Sequence, residues 1–468
     1  MRALEKVFIE FYTYYDMIKA MSELGTQLPL YSVLPFLGIL LSISLFPLFA
    51  PYFWHKHFGK ISLFWALVTA IPLIFFFKSK GLYVILHVLL AEYIPFTILL
   101  GTLYLISGNI YIKGNFTGTP IFNTIYLSIG TVLASLMGTT GASMVLIKPY
   151  LRANEKRGIK TYHIIFFIFL VSNIGGSLTP LGDPPLFLGY LKGVPFFWTL
   201  RSFFPMLLCA GTLLLIFYIL DKYHFQKEIS HASPKEKINF GIEGKHNLIF
   251  LLLVPTAILL SGKIHLKEIN FLGIERPLQE WLRDIFLVIL ALFSYLLTPS
   301  RVRYKNEFTF FPIKEVAILF FGIFISMIPA ISILQAGEKG TLRFVIEKLA
   351  GPASYFWLTG SLSAILDNAP TYLTFLSSCI GKFYPGISEK GAILKLLQEH
   401  PNYLLAISCG AVFFGAATYI GNAPNFMVRS IAEEKGIAMP SFLGYLFKYS
   451  LPLLIPVFIL TTIIFFRG

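Results

Sequence analysis

Apolar runs close to the length of a membrane-spanning helix, about 20 residues, recur along the chain, and two of them are interrupted by the same polar motif. Spans fall at about 33–53, 61–77 and 82–106, followed by a hairpin-like region at 120–147, a broken span at 161–191 and a further span at 202–220. The order then recurs, with spans near 247–262, 284–298 and 315–335, a hairpin-like region at 352–380, a broken span at 401–430 and a last span at 449–466. The pattern predicts an all-α polytopic membrane protein. Its expected architecture is two inverted repeats, each with a re-entrant hairpin and a discontinuous helix.

The repeated motif reads LTPLGDPPLF at 178–187 and ATYIGNAPNF at 417–426. Both fit Thr-x-(Leu/Ile)-Gly-(Asp/Asn)-x-Pro-x-Phe, and Gly176 and Gly415 precede the two Thr residues by the same step. Pro184, Pro185 and Pro424 lack an N–H and stop a helix from closing over the break. Backbone opened in this way is tolerated at membrane depth only where protein or water satisfies it. Paired breaks in two halves of a membrane chain point to the binding site of a secondary transporter. Each half has a second polar interruption, Gly138-Thr139-Thr140-Gly141-Ala142-Ser143 and Asp367-Asn368-Ala369-Pro370-Thr371, at the centre of a run too long for one ordinary helix. A hairpin tip beside a broken helix exposes carbonyls, hydroxyls and half-helix ends. That combination suits a cation, and the N-terminal helix ends suit an anion.

Charge sets the expected orientation. The loop 148–160 carries Lys148, Arg152, Lys156, Arg157 and Lys160 against Glu155, which places it in the cytoplasm. Counting crossings puts 221–246 and 299–314 on the same side, with the nearly charge-balanced loops 263–283 and 381–400 outside. The two halves then enter the membrane from opposite sides. The expected organisation is an N-terminal extension at 1–32 with a candidate interfacial helix, a first membrane repeat at 33–220, a cytoplasmic linker at 221–246 and a second membrane repeat at 247–468, in the cytoplasmic (inner) membrane.

Hydrophobic residues make up 56% of the chain and charged residues 13%, so the net charge of +14 reads as loop charge beside lipid and no nucleic-acid partner is expected. Cys209, Cys379 and Cys409 lie in apolar stretches without metal-ligand spacing. A membrane-embedded enzyme is disfavoured by the lack of a metal-ligand His cluster, nucleophile elbow or phosphate loop, and a primary pump by the lack of an ATP-binding motif. No cofactor is expected.

Three carboxylates fall inside apolar spans: Glu92, Asp183 and Asp367. A charge there costs about 2.5–3.5 kcal/mol or more on insertion scales, so each is expected to face a polar cavity, bind a cation or carry a proton. Asp183 and Asp367 sit in polar breaks and are the candidate ligands of a transported sodium ion. Glu92 lies in a continuous span, where a structural acceptor is the alternative reading. Asn173, Thr179, Thr418, Asn422 and Asn425 add neutral oxygens, as do Thr139 and Ser143, with interhelical hydrogen bonding as the alternative for each.

SNIGGSLTPLGDPPLFLGYLKG, GAATYIGNAPNFMVRSIAEEKG and LDNAPTYLTF resemble the motifs of NhaD-type sodium/proton antiporters in the ion transporter superfamily, which also holds citrate, dicarboxylate and arsenite carriers. The resemblance covers the chain from about residue 33. It implies an inverted-repeat helical bundle, a homodimer with scaffold and transport domains, ion-site roles for Asn173, Asp183, Asp367 and Asn368, and an acidic position in an early helix at Glu92. One departure is the absence of an acidic residue at the first hairpin tip, where this chain has Gly138-Thr139-Thr140. The first expectation is sodium/proton antiport, with Na+ and H+ competing for Asp183 and Asp367. The alternative is a sodium- or proton-coupled citrate or organic-anion transporter, holding substrate carboxylates with the hairpin tips and the Asn and Thr groups.

Overall fold

Proline and glycine decide where these apolar runs bend. A computed structural model describes residues 17–114, 116–228, 240–343 and 349–467. Among the described residues, five helical stretches are long and apolar enough to cross a membrane: Leu30–Pro47, Pro51–Gly108, Pro120–Met137, Phe196–Glu228 and Phe442–Phe465. Phe311–Ser326 and Ile328–Gln335 form a further span bent by 43°. Shorter apolar helices cover Thr161–Ser177, Asn247–Lys263 and Pro401–Ala417. The protein is an all-α polytopic membrane protein.

The stretch Pro51–Gly108 is two spans rather than one rod. Lys78 leaves helical geometry at φ 49, ψ −124. A Cβ added to Gly81 would lie 2.1 Å from the Leu73 carbonyl oxygen. Eight residues of straight helix would separate those positions by about 12 Å, so the chain folds back here. The second of the two spans contains a π-helical segment, Val88–Tyr93, directly before Pro95. A second π segment, Leu446–Ser450, directly precedes Pro452. In both, a proline without an N–H cannot complete the regular ladder, and the preceding turn widens.

Two short strand pairs lie in the loops between helices. β1 (Tyr111–Lys113) pairs antiparallel with β2 (Gly241–Glu243), and β3 (Glu268–Phe271) pairs with β4 (Ile274–Pro277). The second pair turns through Leu272 and Gly273, both at positive φ, 54° and 82°, which matches the right-handed twist of a tight hairpin. The segment 221–246 is helical at its start, because Phe203–Glu228 is one helix. The helix Met17–Gln27 buries Met21 and Leu24, and a Cβ on Gly25 would meet the Ser332 carbonyl oxygen at 2.0 Å. The described part of the N-terminal extension is therefore packed against Ile328–Gln335; residues 1–16 lie outside the described residues.

Burial separates inner from outer elements. Every residue of Ile164–Leu170 is fully buried, so this helix is enclosed on all faces. Large apolar side chains such as Phe49, Phe75, Leu252 and Leu296 are exposed on the outer helices, as expected of surfaces that face lipid. The interrupted elements thus occupy the centre of the bundle.

Candidate functional site

Four helices begin at one place. Thr139–Ala153 starts after Gly138, whose φ of 81° and ψ of 148° turn the chain in a single residue after Pro120–Met137. Asn368–Phe383 starts at Asp367, which closes the gap after Pro352–Ile365. Pro184–Leu191 and Ala423–Glu434 start at the N-caps Asp183 and Asn422, the equivalent positions of the repeated motif. Gly138, Thr139, Pro184, Asp367, Asn368, Asn422 and Ala423 line one cavity of about 80 Å3. Its remaining wall is mostly apolar, including Leu103, Tyr104, Pro312, Ile313, Val316 and Phe320. Among the described residues no Lys or Arg lines it. Each helix start brings about half a positive charge to the space in front of it; Pro184–Leu191 offers no free N–H, because Pro184 and Pro185 have none and those of Leu186 and Phe187 bond the Asp183 carbonyl.

Asp183 is not itself on the cavity surface but stands directly behind it, bonded to Thr139, Asn368 and Asn422, which are. It is 1% exposed, and its Oδ1 accepts from Thr139 Oγ1 at 2.9 Å and from Asn422 Nδ2 at 3.0 Å. Its Oδ2 accepts from Asn368 Nδ2. One carboxylate therefore joins both hairpin tips and its own counterpart, 239 residues along the chain. A second layer sits behind it. Asn173 Nδ2 donates to Asn425 Oδ1 at 2.7 Å, Asn422 Nδ2 lies 3.2 Å from Asn173 Oδ1, and Asn425 Nδ2 donates to the Gly415 and Thr418 carbonyls. Asp367 is half-buried. Its Oδ1 accepts from the Ala369 N–H at 3.0 Å, which caps its own helix and leaves its other oxygen toward the cavity wall.

The two breaks are held in the same way. Thr179 Oγ1 donates to the Ser135 carbonyl of the first hairpin, and Thr418 Oγ1 to the Ala364 carbonyl of the second. The same hydroxyls accept from the Leu181 and Ile420 N–H groups. Thr179 and Thr418 thus staple each break to its neighbouring hairpin. Glycine pairs close the loops: a Cβ on Gly182 would lie 2.1 Å from the Gly176 carbonyl oxygen, and one on Gly421 2.7 Å from that of Gly415. Both obstacles are backbone and cannot rotate away. Gly182→Ala is expected to lose about 3 kcal/mol of stability by overpacking, read as a large drop in thermal midpoint or in folded yield. Gly211→Ala, with nothing within 4 Å of the added carbon, should be neutral. Equal midpoints for the two variants would refute the close packing of the break.

Asp183, Thr139, Asn368, Asn422, Asn173 and Asn425 come together as one network, of which Thr139, Asn368 and Asn422 line the cavity together with Asp367. Ser143 stands one step away, its Oγ 2.8 Å from Ser172 Oγ. Glu92 belongs elsewhere. It contacts Lys192 Nζ at 2.7 Å, and Lys192 also reaches Glu389 at 3.1 Å. A further ion pair missed in the sequence joins Lys148 Nζ to Glu307 at 2.9 Å, with Lys435 at 3.8 Å from Glu307. Lys148 holds the Glu307 carboxyl below its ordinary range, chiefly through their hydrogen bond. Lys148 and Lys192 stand at the ends of apolar runs, before and after the same broken span, where their basic character read as loop charge.

A family model described as "Putative citrate transport" matches residues 25–466. A search of curated proteins found no match. Among the described residues no group of three His, Cys, Asp or Glu side chains is placed to hold a metal ion.

Proposed function

This chain belongs to that citrate-transport family, and we propose that it is a secondary carrier that moves citrate or a related organic anion together with a proton or sodium ion. The observation that carries the reading is the convergence of four helix N-termini on one cavity. The family description and these helix ends favour the organic-anion alternative over sodium/proton exchange, the first expectation from the sequence. The basic loop 148–160 supports a cytoplasmic membrane with that loop inside.

Charge accounting gives a coupling mechanism. Four helix starts supply roughly two positive charges in total, and ionised Asp183 and Asp367 supply two negative ones. The empty cavity is then near neutral and holds a polyanion weakly. A cation bound at the carboxylates tips the cavity positive, and substrate carboxylates can take N–H groups at the helix starts other than Pro184–Leu191. Half-turns of the Asn368 and Asn422 amides would exchange their donors for oxygens toward a sodium ion. Cation and anion therefore enter as a pair, and neither is held well alone.

Purified protein in liposomes tests this. Labelled citrate should accumulate when an inward sodium or proton gradient is imposed and should not accumulate without one. Dissipation of a pH gradient by sodium in the absence of citrate, with no citrate uptake under any gradient, would replace this reading with antiport.

A further inference from the structure

Lys192 sits at the end of the helix that starts at Asp183, and its side chain is 7% exposed. Two carboxylates hold it: Glu92, 5% exposed, on the π-helical segment of another span, and Glu389, 14% exposed, the first residue of the helix Glu389–Glu399 after the second hairpin. One ammonium cannot neutralise both the buried Glu92 and the partly buried Glu389, so the cluster carries an excess negative charge unless a proton joins it. The other charged or titratable groups nearby do not supply the balance. Arg276 is paired with Glu280 and Asp284, and Lys390 is exposed to solvent. His87 faces the positive charges of Lys192, Arg276 and Lys390, with its Nδ1 unpartnered.

A second observation points to the same ligand. Gln335, 4% exposed, donates its Nε2 to Glu389 Oε1 at 3.0 Å, while its own Oε1 is buried and accepts from nothing. A half-turn of the amide would bring that acceptor to Glu389, where a carboxyl O–H could donate to it and an ionised carboxylate could not. A small void bordered by Glu92, Lys192, Met21 and Ser377 adjoins the cluster.

We propose that Glu92, Lys192 and Glu389 form a proton-binding site, separate from the central cavity, that fixes the outer end of the Pro184–Leu191 helix. The proposal rests on the reading of this chain as a cation-coupled carrier. The cluster joins a helix whose other end caps the cavity to a span outside it. Loss of the proton would leave two carboxylates competing for one ammonium and loosen that attachment. Proton binding here would then act on the same helix that presents Asp183.

Infrared difference spectra of the purified protein between acidic and alkaline pH test the site without any substrate. A protonated-carboxyl band is expected in the wild type, lost in Glu92→Gln or Glu389→Gln and retained in Asp183→Asn. In liposomes, the same two variants should flatten the dependence of initial citrate uptake on pH. A band unchanged in both Glu variants would overturn the proposal, whatever the substrate proves to be. Failure of the wild type to transport citrate would count against the carrier reading alone and would leave the spectroscopic result standing.

Discussion

Asp183→Asn should reduce citrate uptake by about 100-fold or more while the protein remains folded. The substitution preserves shape. The one conflict it creates, an amide facing the Asn368 amide, is relieved by a half-turn of Asn368. What it removes is the charge that three donors now surround. Hydrogen bonds to a charged group contribute about 1.5–3 kcal/mol each, and about 2.8 kcal/mol corresponds to a factor of 100. Asp367→Asn should be milder structurally, because Asn caps a helix as well as Asp and, among the described residues, the Asp367 side chain accepts the Ala369 N–H alone. Initial uptake rates and thermal midpoints measured on the same preparations decide the matter. Near-normal uptake by Asp183→Asn would remove this carboxylate from the mechanism.

Asp221→Ala should cost about 3–5 kcal/mol, the usual penalty for leaving a buried charge without its partner. Asp221 is fully buried and accepts from Arg157 at 2.6 Å, from Tyr162 at 2.7 Å and from Asn123 at 2.9 Å. His163 Nε2 lies 3.3 Å from the same carboxylate. Truncation leaves a guanidinium, a phenol and an amide without their acceptor in a low-dielectric setting. Arg157 also pairs with Glu228 at 2.6 Å, but that carboxylate is partly exposed, and Glu228→Gln should cost less than about 1 kcal/mol. The comparison is read from thermal unfolding in detergent. Similar midpoints for the two variants would show that the cluster does not hold the helix Phe203–Glu228.

Much of this site was legible because its signals are local. Gly, Pro and Asp or Asn in a fixed order mark a broken helix wherever they fall, and both copies do so. Gly138-Thr139 and Asp367-Asn368 were visible as tips because each lies midway in an apolar run. Thr179 and Thr418 were equally visible, but their oxygens bond backbone across the breaks, a geometry that depends on where the hairpins pack. Asp221 read as the first residue of a polar linker. Its burial comes from four residues on three other segments, and no periodicity reports that. Glu92, Lys192 and Glu389 lie too far apart in sequence for spacing to connect them. Glu389 falls in 381–400, read as a nearly charge-balanced loop but helical from Glu389 on, so nothing local marked it.

The wall opposite the four helix starts includes Leu103, Pro312, Ile313, Val316 and Phe320, side chains with no hydrogen-bonding group. Such a surface offers almost no directional resistance to shear. Resistance comes from polar ties around it, among them the ion pairs that flank the broken span, Lys148 with Glu307 and Lys192 with Glu92, and the Tyr190 hydroxyl on the Ile258 carbonyl. The two breaks, stapled to the hairpins by Thr179 and Thr418, cannot yield internally, so a displacement would carry them as one body. The present arrangement would then work as a detent: a position latched at both ends of the broken span, from which movement must first stretch these ties before it meets a smooth hydrocarbon face.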